Sequence, residues 1–454
     1  MSVSPARLRA AEALRAVARG APFDAALHRA LDALSDPRER AFCAELVQGA
    51  VRWRGRYDHV IDHFAQRPDH VAKDVRDLLR LALHQLLACD GVPDYAAVDQ
   101  TVQLARQGRG AGAAGFVNGL LQNVRRRLGE DQAARRASLP RGFATLSRDP
   151  VAHLSTWASL PPWLAARWVE RFGAERAAAV AAAANTPPPL WLHVLPGADP
   201  QAVAAALAAE GADVVPGPHP SSLRLTARLG RDALGALLAA HPELIVQDLH
   251  VQEATELLAA DLEGPGLDLC AAPGGKTLHL RRRLPDDALL VAADLGAARL
   301  APLRANLERV EPGPVSVVSA DGMRAPFRDG AFGAVLLDGP CSGTGVLRHH
   351  PEGRWRLEPG TPARNGALLA DLAAAAVRLL RPGGRLLYAT CSLEREENED
   401  VLEALRRTAP ELEPDPWSDG AWQRRWWPDP DGGDGFFAAR LRRGDPAGRE
   451  ERTT

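Results

Sequence analysis

The spacing of hydrophobic positions divides the chain into parts with different periods. Residues 6–128 place apolar residues at helical spacing, punctuated by proline and glycine, and predict an all-helical region. Residues 129–160 are polar and contain proline, as is typical of a linker. Residues 161–245 mix both periods and predict a small α+β unit. Its expected elements are a helix at 162–184, a strand at 190–195, a helix at 200–210, and strands near 213–215 and 222–225.

From about residue 246 the pattern becomes a regular alternation of strands and helices. Alternation at this spacing predicts a mostly parallel sheet with helices on both faces. Strands are expected at 266–271, 289–295, 315–320, 333–338 and 384–390, helices at 276–283, 296–310, 365–380 and 394–408, and an added edge strand at 436–441.

The composition excludes several classes of protein. The 454 residues are enough for two or three domains, and a hydrophobic fraction of 46% is ordinary for a folded soluble protein. The sequence shows neither a signal peptide nor an apolar stretch of about 18 residues, so we expect no membrane association. Its five cysteines are widely spaced and form no zinc-binding pattern. We therefore expect free thiols, no metal site and a reducing cytoplasm.

Charge is distributed unevenly along the chain. Residues 1–140 hold 21 lysines and arginines and 16 aspartates and glutamates, a net charge of +5 in a chain whose total is −2. Such a region either contacts phosphates or has an ordinary solvated helix surface, and charge alone leaves both open. Only two lysines, Lys73 and Lys276, accompany 53 arginines. A lysine retained in such a chain suggests a position that needs lysine.

Lys276 lies in a glycine-rich turn between a predicted strand and a predicted helix. The sequence Leu-Asp-Leu-Cys-Ala-Ala-Pro-Gly-Gly-Lys-Thr over 267–277 is neither a Walker A loop nor GxGxxG. Its glycines let a ligand approach the backbone, and the helix N-terminus offers free N–H donors. Asp294 ends the next strand about 20 residues later, where an acid typically accepts hydrogen bonds from ribose hydroxyls.

Two more predicted strands end in a carboxylate, at Asp321 and Asp338. Any one such aspartate is more often a helix cap than a ligand. Three of them beside a glycine-rich first turn favour a nucleoside-containing cofactor that needs no P-loop. S-adenosylmethionine fits this pattern, because its sulfonium and amino acid end need acidic and backbone partners.

Two of the cysteines lie where an apolar strand turns into a loop. Cys341 follows one predicted strand and Cys391 follows another, at the sheet edge where open α/β folds bind ligands. A lone cysteine at a strand end is most often a small buried hydrophobe, and we assign Cys43 and Cys89 to that class. Cys270 is expected to form a wall of the cofactor loop. Position alone does not rank Cys341 against Cys391.

Three stretches carry a resemblance to a known family: DLCAAPGGKT at 268–277, PCSGTG at 340–345 and ATCS at 389–392. They resemble the motifs of the RNA (cytosine-5)-methyltransferases. With a helical N-terminal region that resembles NusB, the whole chain is similar to the Fmu/RsmB-type 16S rRNA (cytosine-5)-methyltransferases. The resemblance implies a NusB-like RNA-binding domain at 1–140, a linker and small α+β domain at 141–245, and a Rossmann-like Nop2/Sun-type methyltransferase domain at 246–454.

The resemblance also implies roles for individual residues. Cys391 would attack carbon 6 of a cytosine, Cys341 would assist proton removal and release, and Asp338 would contact the base. Asp294 would bind the ribose and Asp321 the adenine side of S-adenosylmethionine. The substrate would be 16S rRNA, opened locally so that the base can leave its stack, and we expect a monomer. The implied cofactor-binding residues are Cys270, Ala271, Ala272, Pro273, Gly274, Gly275, Lys276, Asp294, Asp321 and Asp338.

The chain departs from the family pattern in places that concern RNA contact and domain docking. Gly339 stands where alanine is usual, and the other departures are His193, Leu195, Leu249, His250 and Val251. Alternative functions are the same reaction on tRNA or another rRNA, and a non-catalytic NusB-like RNA-binding factor. A methyltransferase acting on proteins or small molecules would need neither strand-end thiol.

Overall fold

The computed structural model describes residues 3–227 and 229–444. The chain forms two compact units, and one short segment leaves the second unit to join the first. Within the described ranges, the first unit consists of residues 3–185 and 350–356, and the second of the remaining residues. None of the helices in these ranges is both long enough and apolar enough to cross a membrane.

The first unit is helical, as the sequence predicts. Its largest core cluster is built from alanine and leucine side chains of the N-terminal helices. The longest helix, Asp94–Leu128, is kinked at Gly110, where φ is +83°. The α-helices are Pro5–Ala18, Phe23–Asp32, Pro37–Arg52, Arg54–Phe64, Lys73–Leu87, Asp94–Leu128, Gln132–Ser138, Pro150–Ala152, Pro162–Phe172, Ala174–Ala183 and Gly353–Arg356, with 3₁₀ turns at Pro68–His70 and Leu139–Gly142 and a π-helical turn at His153–Trp157.

Two predictions in this unit need correction. The stretch 129–160, interpreted as a linker, forms helical turns, because its polar residues are used inside the fold. Arg135 is fully buried and donates to Asp94 Oδ1 at 2.6 Å and to the Glu130 carbonyl at 2.9 Å. The single helix expected at 162–184 is two helices, broken at Gly173, where φ is +76°.

The second unit begins with a small antiparallel sheet of four strands in the order β2-β3-β1-β4. Its apolar face packs on the adjacent helices around Leu192, Leu207 and Leu244. The helix at 231–240 was not expected from the sequence. The elements are β1 (Leu190–Val194), β2 (Val214–Pro216), β3 (Ser222–Leu225) and β4 (Leu244–Val246), with helices Pro200–Ala209 and Arg231–Ala240.

The second sheet contains the remaining eight strands. These are β5 (Gly266–Asp268), β6 (Leu290–Asp294), β7 (Ser316–Ser319), β8 (Phe332–Asp338), β9 (Leu380–Thr390), β10 (Leu412–Pro414), β11 (Gln423–Trp426) and β12 (Phe436–Arg443). The order is β10-β12-β9-β8-β5-β6-β7, with β11 also paired to β12. The α-helices are Leu249–Leu258, Gly275–Arg283, Ala297–Val310, Thr361–Leu379 and Glu399–Thr408, with 3₁₀ turns at Gly322–Arg324 and Arg395–Glu397.

The predicted strands and the parallel core of this sheet are confirmed. Strands β5 to β9 pair in parallel, whereas β12 runs antiparallel to β9. The expectation that 436–441 adds an edge strand was wrong, because β10 and β11 both pair with β12. Those two strands are short and largely polar, so no apolar run marks them in the sequence. The helix at Leu249–Leu258 was also missed.

Parallel pairing brings the carboxyl ends of four strands to one edge of the sheet. Asp338, the last residue of β8, pairs with Ala389 of β9, and Asp268, the last residue of β5, pairs with Leu336 of β8. The end of β6, Asp294, is the next along this edge. Buried apolar clusters on both faces of the sheet hold the strand ends in place.

Candidate active site

The glycine-rich turn after β5 is attached to both neighbouring strands by its backbone. Leu269 N–H donates to the Leu336 carbonyl at 2.9 Å, and Ala271 N–H donates to the Ala293 carbonyl at 2.9 Å. Ala272 N–H donates to Asp294 Oδ2 at 3.1 Å. These bonds hold the turn across the edge of the sheet and keep its backbone in contact with the Asp294 carboxylate.

Two residues of the turn show why its sequence is restricted. Gly274 has φ +110°, and a Cβ built there would lie 2.5 Å from Leu303 Cδ1 and 3.2 Å from Leu303 Cα, so glycine is required. Thr277 Oγ1 donates to Asp268 Oδ2 at 2.6 Å. Burial raises the pKa of Asp268 to about 7, and its Oδ1 has no hydrogen-bond partner among the described residues. Asp268 is a strand-end acid that the sequence reasoning quoted within a motif but did not single out.

The other strand-end carboxylates have different surroundings. Asp294 is buried and its Oδ1 accepts from Leu295 N–H at 2.8 Å and from Arg299 Nε at 2.6 Å. Asp321 lies two residues beyond β7 and caps the following 3₁₀ turn, accepting from Met323 N–H at 3.0 Å. Asp321 therefore has the capping contact that an aspartate at a helix start usually makes, and its proposed role toward adenine stays a prediction.

Lys276 bridges the cofactor turn to the end of β8. Its Nζ donates to Asp338 Oδ2 at 2.6 Å and lies 5.2 Å from the centre of the Phe436 ring. Burial acts to lower the pKa of Lys276, but the nearby Asp338 carboxylate outweighs it and the pKa is raised. Lys276 is thus a fixed ammonium, which fits its retention in a chain so poor in lysine.

A cleft of about 260 Å³ opens beside this ion pair. It is lined by residues 270–276 of the turn, by both Asp268 and Asp338, and by side chains of the small sheet, including Gln247. Asp294 and Asp321 are not part of this lining. The structure therefore brings the turn and Asp338 together around one cleft and places the other two acids further along the sheet edge.

The two strand-end thiols meet at this edge. Cys341 Sγ and Cys391 Sγ lie 3.3 Å apart. The pKa of Cys341 is raised well above its ordinary value by its hydrogen bond to Cys391, by burial and by the charge of Glu397. On the other side, electrostatic attraction to Cys391 is one of the contributions that raise the pKa of Lys276. The two thiols are adjacent, and both the Glu397 carboxylate and the Lys276 ammonium act electrostatically on the pair.

The remaining cysteines behave as the sequence reasoning expected of buried thiols. Cys43 and Cys89 are buried in the helical unit, and burial raises their pKa values to about 11 and about 12. Cys270 is more accessible, but burial raises its pKa to about 12. None of the three has the reactive surroundings of the thiol pair.

Glu397 was missed from the sequence, although it connects both cysteine loops. It accepts hydrogen bonds from Ser342 and from Ser392, the residues that directly follow the two cysteines. The sequence around it, Glu394-Arg-Glu-Glu-Asn-Glu-Asp400, contains five acids that look alike without the structure. Only the break in helical geometry at Asn398, with φ −124° and ψ −97°, distinguishes the position.

Two of the departures from the family pattern, His193 and Leu195, lie where the small sheet meets the helix Gly275–Arg283. His193 Nδ1 lies 2.7 Å from Gln247 Oε1, and its ring stacks on His279 of the helix Gly275–Arg283 with centroids 5.1 Å apart. Leu195 is buried against Leu278 of the same helix. These residues serve docking within the unit.

Comparison with known proteins places this geometry in a family. The 16S rRNA methyltransferase RsmB/F family matches residues 256–442, the NusB family matches 4–126, and the ferredoxin-like domain of RsmF/B-like methyltransferases matches 160–230. The ribosomal RNA small subunit methyltransferase B of Xylella fastidiosa is 35% identical over 437 residues, which cover 94% of this chain and 97% of that protein. The chain belongs to the ribosomal RNA small subunit methyltransferase B family.

Two further comparisons support the same family and fold. The probable ribosomal RNA small subunit methyltransferase B of Bacillus subtilis is 30% identical over 397 residues, covering 84% of this chain and 83% of that protein. The crystal structure of PH0851 superposes with a TM-score of 0.73 over 97% of this chain and 99% of that chain, at 24% identity, and shares the fold. The predicted family and three-part fold class are confirmed.

Membership of the methyltransferase B family makes this protein an S-adenosylmethionine-dependent rRNA methyltransferase, and the predicted cofactor is confirmed. The described residues fit that cofactor. Gly274 keeps the backbone of the turn free of a side chain, and Asp268 Oδ1 is a buried acceptor that still lacks a donor. Carboxylates at successive strand ends suit the hydroxyl and ammonium groups of a nucleoside with an amino acid tail.

Proposed function

We propose that this enzyme methylates carbon 5 of a specific cytosine in 16S rRNA through a covalent bond between Cys391 and carbon 6. The observation that carries the proposal is the pair of thiols 3.3 Å apart at the carboxyl edge of the sheet, beside the Lys276–Asp338 ion pair. Carbon 5 of cytosine is a poor nucleophile. A thiolate adding to carbon 6 makes it reactive, which explains why a methyltransferase needs cysteine at this place.

The bond changes balance with two thiols and one acid. Cys391 thiolate forms a bond to carbon 6 while nitrogen 3 takes up a proton, assisted by Asp338. S-adenosylmethionine supplies the electrophilic methyl group, which carbon 5 accepts. Cys341, after giving up its own proton to solvent, then takes the carbon-5 proton, and the carbon 5–carbon 6 double bond forms again. The electron pair of the sulfur–carbon bond leaves with Cys391, and nitrogen 3 returns the proton that it took up.

The charges around the pair support this division of roles. The Lys276 ammonium attracts negative charge on Cys391, whereas Glu397 opposes negative charge on Cys341. Attack requires the thiolate. The raised pKa of Cys341 argues against it as the attacking thiolate, which supports the assignment of that role to Cys391.

The substrate RNA is proposed to present the cytosine outside a stacked helix, because the thiols must reach carbon 6. Among the alternatives, similarity to a 16S rRNA methyltransferase family and to ribosomal RNA small subunit methyltransferases favours small-subunit rRNA over tRNA. A domain boundary near residue 140, a second near 245, a monomeric state and a cytoplasmic location belong to this proposal as well.

The direct test is methylation of deproteinised 16S rRNA with labelled S-adenosylmethionine, followed by bisulfite mapping. Label at carbon 5 of one cytosine is expected. A tRNA pool and 23S rRNA serve as competing substrates, and label in those alone would transfer the proposal to a different RNA. Methylation at a ring position other than carbon 5 would contradict it.

The roles of the two thiols are tested by single substitutions. Cys341→Ala is expected to accumulate a covalent protein–RNA adduct, because addition and methyl transfer proceed but carbon 5 keeps its proton. Cys391→Ala is expected to form no adduct. Both are scored by denaturing gel electrophoresis with labelled RNA, and Cys43→Ala provides a matched cysteine control in the helical unit. Adducts with Cys391→Ala alone would exchange the two roles.

A further inference from the structure

We propose that Glu397 is a positioning residue that holds the loops carrying Cys341 and Cys391 together, so that both thiols address the same base. The inference rests on the proposed function, since it assumes that both thiols act in one reaction. Its structural basis is a set of hydrogen bonds that reach one carboxylate from separate parts of the chain.

Each oxygen of Glu397 receives two donors. Oε1 accepts from Ser342 N–H at 2.7 Å and from Asn365 Nδ2 at 2.9 Å. Oε2 accepts from Ser342 Oγ at 2.5 Å and also from Ser392 Oγ. Ser342 and Ser392 each follow a reactive cysteine, so one carboxylate fixes the residues next to both thiols.

The side chain of the next residue, Asn398, adds hydrogen bonds to the segment around Cys391. Asn398, the residue after Glu397, accepts from Thr390 Oγ1 at 2.6 Å and donates to the Ser392 carbonyl at 2.9 Å. The two serine hydroxyl oxygens lie 3.2 Å apart. Residues on both sides of Cys391 are thereby held by the short segment that contains Glu397.

The burial of Glu397 argues that the carboxylate is kept for these bonds. Glu397 is fully buried, and burial raises the pKa of its carboxyl group in spite of the hydrogen bonds from Ser342, Ser392 and Asn365. A buried carboxylate is costly unless its oxygens are satisfied. A small polar or apolar residue would avoid that cost but would leave the two cysteine loops without a common partner.

Two substitutions of Glu397 separate geometry from charge. Glu397→Gln keeps one acceptor oxygen for the two N–H donors, and the serine hydroxyls can turn to accept from its amide. Glu397→Asp keeps the charge but is one carbon shorter and cannot reach both loops. We expect kcat to fall by about 100-fold in Glu397→Asp and by about 10-fold in Glu397→Gln, since misplacement of about 1 Å costs on that order. KM for RNA and Kd for S-adenosylmethionine should change by less than about 3-fold.

Glu403→Gln is the matched control, because it makes the same chemical change on the following helix at an exposed position whose partner is Arg395. It should leave kcat, KM and thermal unfolding at wild-type values. Glu397→Gln losing more activity than Glu397→Asp would overturn the positioning role in favour of a role for charge. Wild-type kcat in Glu397→Asp would overturn it altogether.

A second measurement does not depend on RNA or methylation. An arylarsonous acid, ArAs(OH)2, reacts with two neighbouring thiols to form two As–S bonds with release of two water molecules, and its capture by Cys341 and Cys391 reports whether they are adjacent. We expect one equivalent bound in wild type, none in Cys341→Ala, and at least 10-fold slower capture in Glu397→Asp. Unchanged capture in Glu397→Asp refutes the inference, even if the proposed function holds. Slowed capture in a protein that methylates no cytosine supports the positioning role and refutes the proposed function.

Discussion

A single methyl group added at Gly345 should disturb the backbone that carries Cys391. A Cβ at this position would lie 2.2 Å from the Gly435 carbonyl oxygen and 2.8 Å from the Cys391 carbonyl oxygen. Both are backbone atoms, and Gly345 also exchanges backbone hydrogen bonds of 2.9 Å with each of these residues. Gly345→Ala must therefore move backbone, because no flexible side chain can turn away.

The size of the movement sets the expected loss. A carbon–oxygen contact is comfortable at about 3.3 Å, so the loops must separate by about 1 Å. Overpacking of this kind costs about 1–3 kcal/mol of stability, and a shift of about 1 Å beside a reacting group costs about 100-fold in rate. We expect the loss of stability to appear in urea unfolding and the loss of rate to appear in single-turnover methylation.

Gly119→Ala is the matched control for this substitution. Gly119 lies in the long helix of the first unit with no atom within 4 Å of the added Cβ. Its replacement should stabilise the protein by about 0.5–1 kcal/mol and leave the rate unchanged. Wild-type rate and stability in Gly345→Ala would refute the inference that the backbone around Cys391 is close-packed.

Three further predictions concern buried charge in the second unit. Burial, with His279 nearby, lowers the pKa of His193 to about 3. Protonation of His193 is therefore unfavourable in the folded state. As the pH drops from about 6.5 toward 3, the free energy of unfolding should fall by about 1 kcal/mol per pH unit. His193→Gln should reduce this slope in urea titrations. Burial raises the pKa of Asp268 to about 7, so stability is lost progressively as the pH rises from about 4 to 7, and Asp268→Asn should raise the urea midpoint more at pH 8 than at pH 5. Arg348 is buried and donates to the carboxylates of Asp248 and Asp434, and Arg348→Ala should cost about 3–5 kcal/mol in the same assay.

Each of these predictions has an outcome that contradicts it. If the free energy of unfolding of His193→Gln falls with pH as steeply as that of the wild type, groups other than His193 cause the acid sensitivity. A lower urea midpoint for Asp268→Asn at pH 8 would mean that its carboxylate is stabilising. A loss of less than about 1 kcal/mol in Arg348→Ala would show that water enters to solvate the two carboxylates.

The sequence predicted those parts of the fold that depend on local apolar pattern. Strands β6 and β8 and the last five residues of β9, 386–390, are buried runs, and the ends of these strands were placed within a few residues of the structure. The pattern did not predict β10 and β11, which are short and polar and are held by pairing with β12. Those strands depend on partners distant in sequence, which periodicity does not record.

The candidate site shows the same division. The glycine-rich turn, Lys276, Asp338 and the two cysteines were selected from sequence because their residue types are unusual at strand ends. The contact between the thiols and the hydrogen bonds of Glu397 depend on the pairing of β8 with β9 and on the break at Asn398. Arg135 was overlooked for a related reason, since a buried arginine and an exposed one have the same sequence signature.

The segment 350–356 sets a limit on how this protein can be divided. Arg354 is buried among residues of the first unit, donating to Asn185 Oδ1 and to the Ala184 carbonyl, both at 2.8 Å, and Trp355 Nε1 donates to the Val51 carbonyl at 2.8 Å. A helical fragment ending at Asn185 would therefore lack residues 350–356, which form part of its interior. The complementary fragment would keep these residues without the unit that buries them. Separating the two units, by truncation or by gene rearrangement, therefore requires breaking the chain at more than one position.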